Sequence, residues 1–294
     1  MMNGLLVVDK PAGLTSFDVV ARLRRLTKTR RVGHAGTLDP LATGVLVVAL
    51  GPATRLLEYL SGADKQYETT ILLGVTTDTA DAAGRVLRRV DVAQLSPEEI
   101  RRALEQFVGE ILQVPPAVSA VKVGGERAYR LARAGQDVAL PPRRVVVHAI
   151  TPLAITPPTV RLRVHCGSGV YIRSLARDLG ERLGVGGHVL ELRRLAVGEF
   201  SLAQAHSLDE LEEATRRGTL SQLVLPPERA LAGWLLIPVT AREAACLRQG
   251  KPLAAVPTQP RAAAIDERGR LVAILEAANG YWQPTKVWPQ EEGP

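Results

Sequence analysis

The run Gly33-His34-Ala35-Gly36-Thr37-Leu38-Asp39-Pro40-Leu41-Ala42-Thr43-Gly44 reads as a glycine-bracketed loop leading into Val45 to Leu50, an apolar run of buried-strand length. Proline disfavours the helical region for the residue before it, so Asp39 is expected in extended backbone, projecting from the loop. Glycines 33, 36 and 44 allow another backbone or a ligand to come close. An aspartate displayed in this way is either a reactive group or an Asx-type turn that bonds only its own backbone.

The surroundings are cationic. Between Val19 and Leu38 lie Arg22, Arg24, Arg25, Lys28, Arg30, Arg31 and His34, with no acid among them. Such a stretch either brings a polyanion to Asp39 or forms a solvated helix face, although solvated faces normally interleave acids. The formal net charge of +7 favours an anionic partner, of which nucleic acid is the commonest. Lysine is scarce, so the positive charge is mostly arginine, whose planar fork binds phosphate at two points.

At 294 residues the chain is long enough for one large domain and a small one. With 46% hydrophobic and 23% charged residues it has the composition of a globular protein with a sizeable core. No apolar stretch approaches the roughly 18 residues of a membrane span, and the N-terminus reads as a first strand rather than a signal peptide. Cys166 and Cys246 stand far apart, which excludes a CxxC metal site and fits a reducing cytoplasm. The histidines at 34, 148, 165, 188 and 206 show no close ligand spacing, so no structural metal is expected.

Strand and helix signals alternate irregularly. Leu5 to Val8 reads as a strand, and Thr15 with Asp18 as a capping box opening a helix to about Leu26. Pro52 to Leu60 reads as helical, Tyr67 to Leu73 as a strand, and 76–84 as a turn before a further strand. Ser96, Pro97 and Glu99 start a helix to about Val108. After Gly124-Gly125, Arg127, Arg130 and Arg133 at spacing three share one helical face. That face is either a phosphate-contacting finger or a solvated turn, closed by Pro141-Pro142.

Val160 to Cys166 alternates as a half-buried strand. It leads through Gly167-Ser168-Gly169 into a helix with an apolar stripe of Ile172, Leu175, Ala176, Leu179 and Leu183. Arg173 falls off that stripe, placed either for a site or simply to face water. His188 to Val197 reads as a long strand and Ser207 to Arg217 as a charged helix. After Trp234, short strands including Arg261 to Ile265 and Leu271 to Leu275 form a small β-rich module. This irregular alternation gives an α+β fold class with a mixed or antiparallel sheet. Neither a Rossmann nor a P-loop glycine pattern is present.

Six blocks carry a family resemblance: GLLVVDKPAGLTS (4–16), GHAGTLDPLATGVL (33–46), DKQY (64–67), TDTADAAG (77–84), HCGSGVYIRSLARDLG (165–180) and LRRLAVG (192–198). In this order they resemble the bacterial TruB-type tRNA pseudouridine synthases, and the tail is similar to a PUA-type RNA-binding module. The resemblance implies a pseudouridine synthase fold over 1–232, with an RNA-binding insertion at about 124–142, and a PUA-like domain over 233–290. It implies isomerisation of uridine 55 in the T loop of tRNA, without a cofactor or metal, by a cytoplasmic monomer. PUA-type domains in related enzymes touch the acceptor end of tRNA, making that end a second expected contact.

By the same resemblance Asp39 is the catalytic aspartate, Tyr67 the aromatic that packs on the target base, and Arg173 the arginine paired with the aspartate. Asp81 matches a second acid near that arginine, and Leu192 an apolar pocket wall. His34 corresponds to the residue that helps hold the T loop once the uridine has left its stack. Arg55 stands where a lysine is also familiar, so only positive charge is required there. Tyr171, Arg127 and Arg130 complete the expected substrate contacts. The chemistry agrees: extruding a base costs a few kcal/mol, which stacking on an aromatic partly offsets. A guanidinium beside a carboxylate orients it and favours its ionised form.

Overall fold

The structure, a computed structural model, describes residues 2–119, 122–123, 125–127, 140–254 and 256–288. Its centre is built from the two continuous apolar runs, Leu5 to Val8 in strand β1 (Gly4–Lys10) and Val45 to Leu50 in β3 (Thr43–Leu50), with β2 (Val32–His34) alongside. Alternate residues of β1 and β3 enter two different cores. Leu6, Val8, Leu46, Val48 and Leu50 face one, while Leu5, Val7, Val45, Val47 and Ala49 face the other. A strand covered on both faces has no polar alternation to show, which is why these runs are unbroken.

The remaining strands are β4 (Lys65–Leu73), β5 (Val75–Thr77), β6 (Val86–Arg89), β7 (Gly109–Gln113), β8 (Lys122–Val123) and β9 (Glu126–Arg127). They are followed by β10 (Arg143–Thr156), β11 (Thr159–Cys166), β12 (Gly187–Val197) and β13 (Phe200–Ser201). The main sheet runs β1-β3-β12-β4-β11-β10-β7, with β2 attached to β3 and β13 to β12. Every pairing in it is antiparallel except that of β3 with β12, so the sheet is mixed and mainly antiparallel.

Helices Ser16–Thr27, Pro97–Glu105, Ile172–Arg182 and Leu208–Arg216 all cover the same face. The capping box expected at Thr15 forms, Oγ1 accepting from Asp18 N, and the helix start expected at Ser96 proves to be a capping box too, Ser96 Oγ accepting from Glu99 N. The expected helix over 52–60 begins as a 3-10 turn, Gly51–Leu56, and becomes α-helical at Leu57–Ser61. On the opposite face β4 and β11 remain open to water, where Glu68 pairs with Arg161 and Arg163. Among the described residues no helix is long and apolar enough to cross a membrane.

A second sheet, β14 (Leu235–Pro238), β15 (Arg261–Ile265), β16 (Leu271–Ala278) and β17 (Tyr281–Val287), adds the helix Ala241–Arg248, which the sequence pattern did not reveal. Ala262 and Ala264 serve this unit's own core. Ala263, Ile274 and Trp288 instead join Val45, Val47 and Phe200 under the main sheet.

Gly44 shows how tightly β3 and β12 meet. Its φ is +99°, and a Cβ there would lie 2.1 Å from Arg194 O. Gly44→Ala is therefore expected to lose at least about 2 kcal/mol of stability, measured by urea unfolding.

Candidate active site

Asp39 sits in irregular backbone between β2 and β3, in a loop and not on a helix. Three side chains from outside the loop fix it. Leu38 N donates to Ser16 Oγ at 2.8 Å, and Ser16 Oγ donates to Leu38 O at 3.2 Å. Arg194 donates to Val45 O at 2.7 Å and to Gly36 O at 3.1 Å. Lys10, fully buried, donates through Nζ to Leu14 O at 2.7 Å and to Pro40 O at 3.4 Å. Burial pushes the Lys10 ammonium down to about 8.

The Asp39 side chain does not fold back on its own backbone. Arg173 Nε donates to Oδ2 at 2.9 Å and Nη2 to Oδ1 at 3.0 Å, a two-point fork that sets the carboxylate plane. Two further guanidinium hydrogens go to Thr79 O at 3.0 Å and Val118 O at 2.8 Å. Asp81 Oδ2 lies 3.7 Å from Nη1. Arg173 does lie off the apolar stripe of its helix, but it does not face water: it is 3% exposed. Its partners come from three distant loops, which no local pattern could reveal.

The helix start that carries Arg173 has no side-chain cap. Instead Tyr171 N donates to Gln113 Oε1 at 2.8 Å, and Gln113 Nε2 returns a bond to Tyr171 O at 3.1 Å. Ser174 Oγ donates to Val114 O at 2.7 Å, fixing the same turn to the end of β7. Asp81 is anchored separately. Its Oδ1 accepts from Thr79 Oγ1 at 2.6 Å and from Ala83 N at 3.1 Å, and Ala82 N donates to Val189 O on β12.

Burial raises the Asp39 carboxyl above the usual carboxylate range. Arg173 and Lys10 pull the other way, and the Asp81 charge adds to the rise. The guanidinium thus favours the ionised form, as expected, but burial outweighs it.

These groups open onto one cleft. Asp39, Tyr67, Tyr171, Arg173 and Leu192 all line it, joined by Lys65, Ser119 and Arg194. Tyr67 and Arg194 are register partners across β4 and β12, and both side chains are almost fully buried. Asp81 stands behind Arg173, 6% exposed and outside the cleft wall.

Several expected contacts fall elsewhere. His34, in β2, is half-buried and does not line the cleft. Arg55 reaches the C-terminal sheet: Nη1 donates to Val287 O at 2.7 Å, and its guanidinium lies 4.9 Å from the Trp288 ring centroid. Arg127 belongs to strand β9, paired with Lys122, and not to the first turn of a helix. The preceding Gly125, at φ +91°, makes the hairpin turn that the helical reading overlooked. Arg130 and Arg133 lie outside the described residues. In the cationic stretch, Arg22 bonds Glu212 at 2.5 Å, so the acid missing locally comes from the helix Leu208–Arg216.

A model of the TruB family pseudouridylate synthase N-terminal domain matches residues 24–172. The chain belongs to the TruB family. Models for the tRNA pseudouridylate synthase B C-terminal domain and the tRNA pseudouridine synthase II C-terminal domain match 173–232 and 234–289. Proteins named tRNA pseudouridine synthase B are similar over nearly the whole chain. That of Arthrobacter sp. (strain FB24) is 47% identical over 100% of this chain and 99% of its own. That of Mycobacterium tuberculosis (strain ATCC 25618 / H37Rv) is 50% identical over 92% of this chain and 91% of its own.

Among solved structures, a Cbf5-Nop10-Gar1 complex matches with TM-score 0.76 and 28% identity, covering 97% of this chain and 84% of the other. An H/ACA RNP bound to a substrate RNA containing 2'-deoxyuridine matches with TM-score 0.76 and 26% identity, over 98% and 86%. The TruB-family chain is thus a pseudouridine synthase, an isomerase acting on RNA, with a PUA-like C-terminal module.

Lys10, Lys65, Gln113 and Arg194 are site residues of this TruB-family fold that the sequence reading did not single out. Lys10, Lys65 and Arg194 lie inside quoted blocks, but a lysine or arginine is so seldom buried that nothing local marks it as internal. Lys65 donates to Ser61 O at 2.9 Å and Ala63 O at 2.6 Å, and burial brings its ammonium down to about 8.

Proposed function

We propose that this chain isomerises uridine 55 in the T loop of tRNA to pseudouridine, with Asp39 as the catalytic carboxylate. The observation that carries this is the two-point pairing of Asp39 with a buried Arg173 in a cleft also lined by Tyr67. Asp39 is the only carboxylate among the described residues lining that cleft. Glycoside hydrolysis by two carboxylates needs a second acid across the bond, with room for water. A single oriented carboxylate suits cleavage of the N1–C1' bond followed by recapture of the same base through C5.

The balance is that of an isomerisation: the N1–C1' bond breaks, C5–C1' forms, C5 loses its hydrogen to solvent and N1 gains one. Asp39 must be ionised whether it attacks the ribose carbon, attacks C6 or acts as a base. Arg173 fixes the carboxylate plane, Tyr67 offers the extruded base a ring face, and Leu192 and Tyr171 form the cleft walls. His34 and Arg55 contact the T loop and neighbouring phosphates, joined by the segment around Arg127 and Arg130. Residues 1–232 form the catalytic unit of a monomer, and 233–290 an RNA-binding unit reaching toward the acceptor end.

Release of label from tRNA tritiated at uridine C5 tests this assignment. Release that stops when position 55 is cytidine supports it, and unchanged release from that tRNA refutes it.

The pH dependence follows from the cleft. Because Asp39 is raised and works ionised, kcat/KM falls on the acid side at a pH above the ordinary aspartate value of about 3.9. Asp81→Asn removes a charge that raises Asp39, so the acid limb moves to lower pH; an unmoved or upward limb contradicts this electrostatic assignment.

A further inference from the structure

Three ligand-bearing side chains meet at one edge of the main sheet, outside the catalytic cleft. Asp64 immediately precedes β4, His165 lies near the end of β11, and His148 lies on β10. Along the sequence they are scattered, so no ligand spacing is visible. The sheet brings them together through an irregularity. Val147 pairs with Cys166 and Ala149 pairs with His165, leaving His148 as the extra residue of a bulge. A bulge re-aims a side chain that regular alternation would send to the other face. Here it sets the His148 ring 4.8 Å from the His165 ring.

Both imidazoles point Nε2 at a single oxygen, Asp64 Oδ2, at 3.3 Å from His148 and 3.7 Å from His165. These separations exceed the roughly 2.7–3.2 Å of an N–H···O hydrogen bond. They are close to the distance between two ligands on a tetrahedral ion, about 3.3–3.4 Å for bonds of about 2.0–2.1 Å. One ligand atom from each of the three residues falls within 4.8 Å of the others. The side chains are 52%, 38% and 41% exposed, so an ion can enter from solvent without the fold opening.

We infer that Asp64, His148 and His165 form a binding site for one divalent cation of the zinc type. Two imidazoles and one carboxylate suit Zn2+, Co2+ or Ni2+, whereas Mg2+ and Ca2+ take all-oxygen sets. Three protein ligands leave the fourth position to water. An ion here ties β10 and β11 to the start of β4, directly before Lys65 and Tyr67, which line the cleft. The site thus fastens the strand ends next to residues that line the catalytic cleft. It stands apart from the proposed chemistry, and neither depends on the other.

The test uses the full chain without a histidine tag, treated with chelator and titrated with Co2+, whose ligand-field absorption reports coordination. One saturable equivalent is expected, displaced by Zn2+ and unaffected by a large excess of Mg2+. His148→Ala and His165→Ala, at exposed positions and checked for folding by circular dichroism, should each weaken binding by more than about tenfold. The absence of saturable binding overturns the site. So does Co2+ binding that both variants retain, because the ion is then held elsewhere.

Discussion

Asp39→Asn gives a protein that binds tRNA within about threefold of wild type yet loses at least about 10⁴-fold in the rate of tritium release. The amide is nearly the same size and still accepts a hydrogen bond from Arg173 through its one oxygen, so the loop held by Ser16, Lys10 and Arg194 keeps its shape. What disappears is the negative charge and the free lone pair, which every route through Asp39 requires. Release assayed under single-turnover conditions, beside a filter-binding isotherm, separates the two effects. A variant that retains even a tenth of the wild-type rate removes Asp39 from the chemistry.

Arg173→Lys has the next largest effect, on rate and stability together. A lysine keeps the charge but lacks the fork that spans Oδ1 and Oδ2, and it cannot also reach Thr79 O and Val118 O. Losing one charge-assisted bond costs about 1.5–3 kcal/mol, so kcat/KM is expected to fall by roughly 10- to 150-fold. Stability falls as well, by about 2 kcal/mol, because buried carbonyls lose their donors. Urea unfolding reads the second effect and tritium release the first. Full activity in Arg173→Lys contradicts the orienting role, since point charge alone then suffices.

The difference between what the sequence reveals and what it hides is physical. The helix caps at Thr15 and Ser96, the strand runs at 5–8 and 45–50 and the loop that carries Asp39 follow from local rules, and all are present. The pairing of Asp39 with Arg173 is not local. It rests on a helix start clamped by Gln113 from β7 and on carbonyls from the loops at Thr79 and Val118, and sequence offered it only through family resemblance. Burial was the least legible property. Arg173, Arg194 and Lys10 are all internal because backbone carbonyls ring their charged heads, an arrangement with no sequence signature. In the arginine-rich stretch the acids that pair with Arg22 stand on a helix far along the chain, which no local pattern shows.

The most direct measurement follows tritium, pseudouridine and free uracil together, from one C5-labelled tRNA incubated with the wild-type chain. A cleft with one oriented carboxylate that holds the cut base predicts one equivalent of tritium released for each pseudouridine formed, with no free uracil. Free uracil in proportion to the label released, or pseudouridine absent from the digested tRNA, contradicts it.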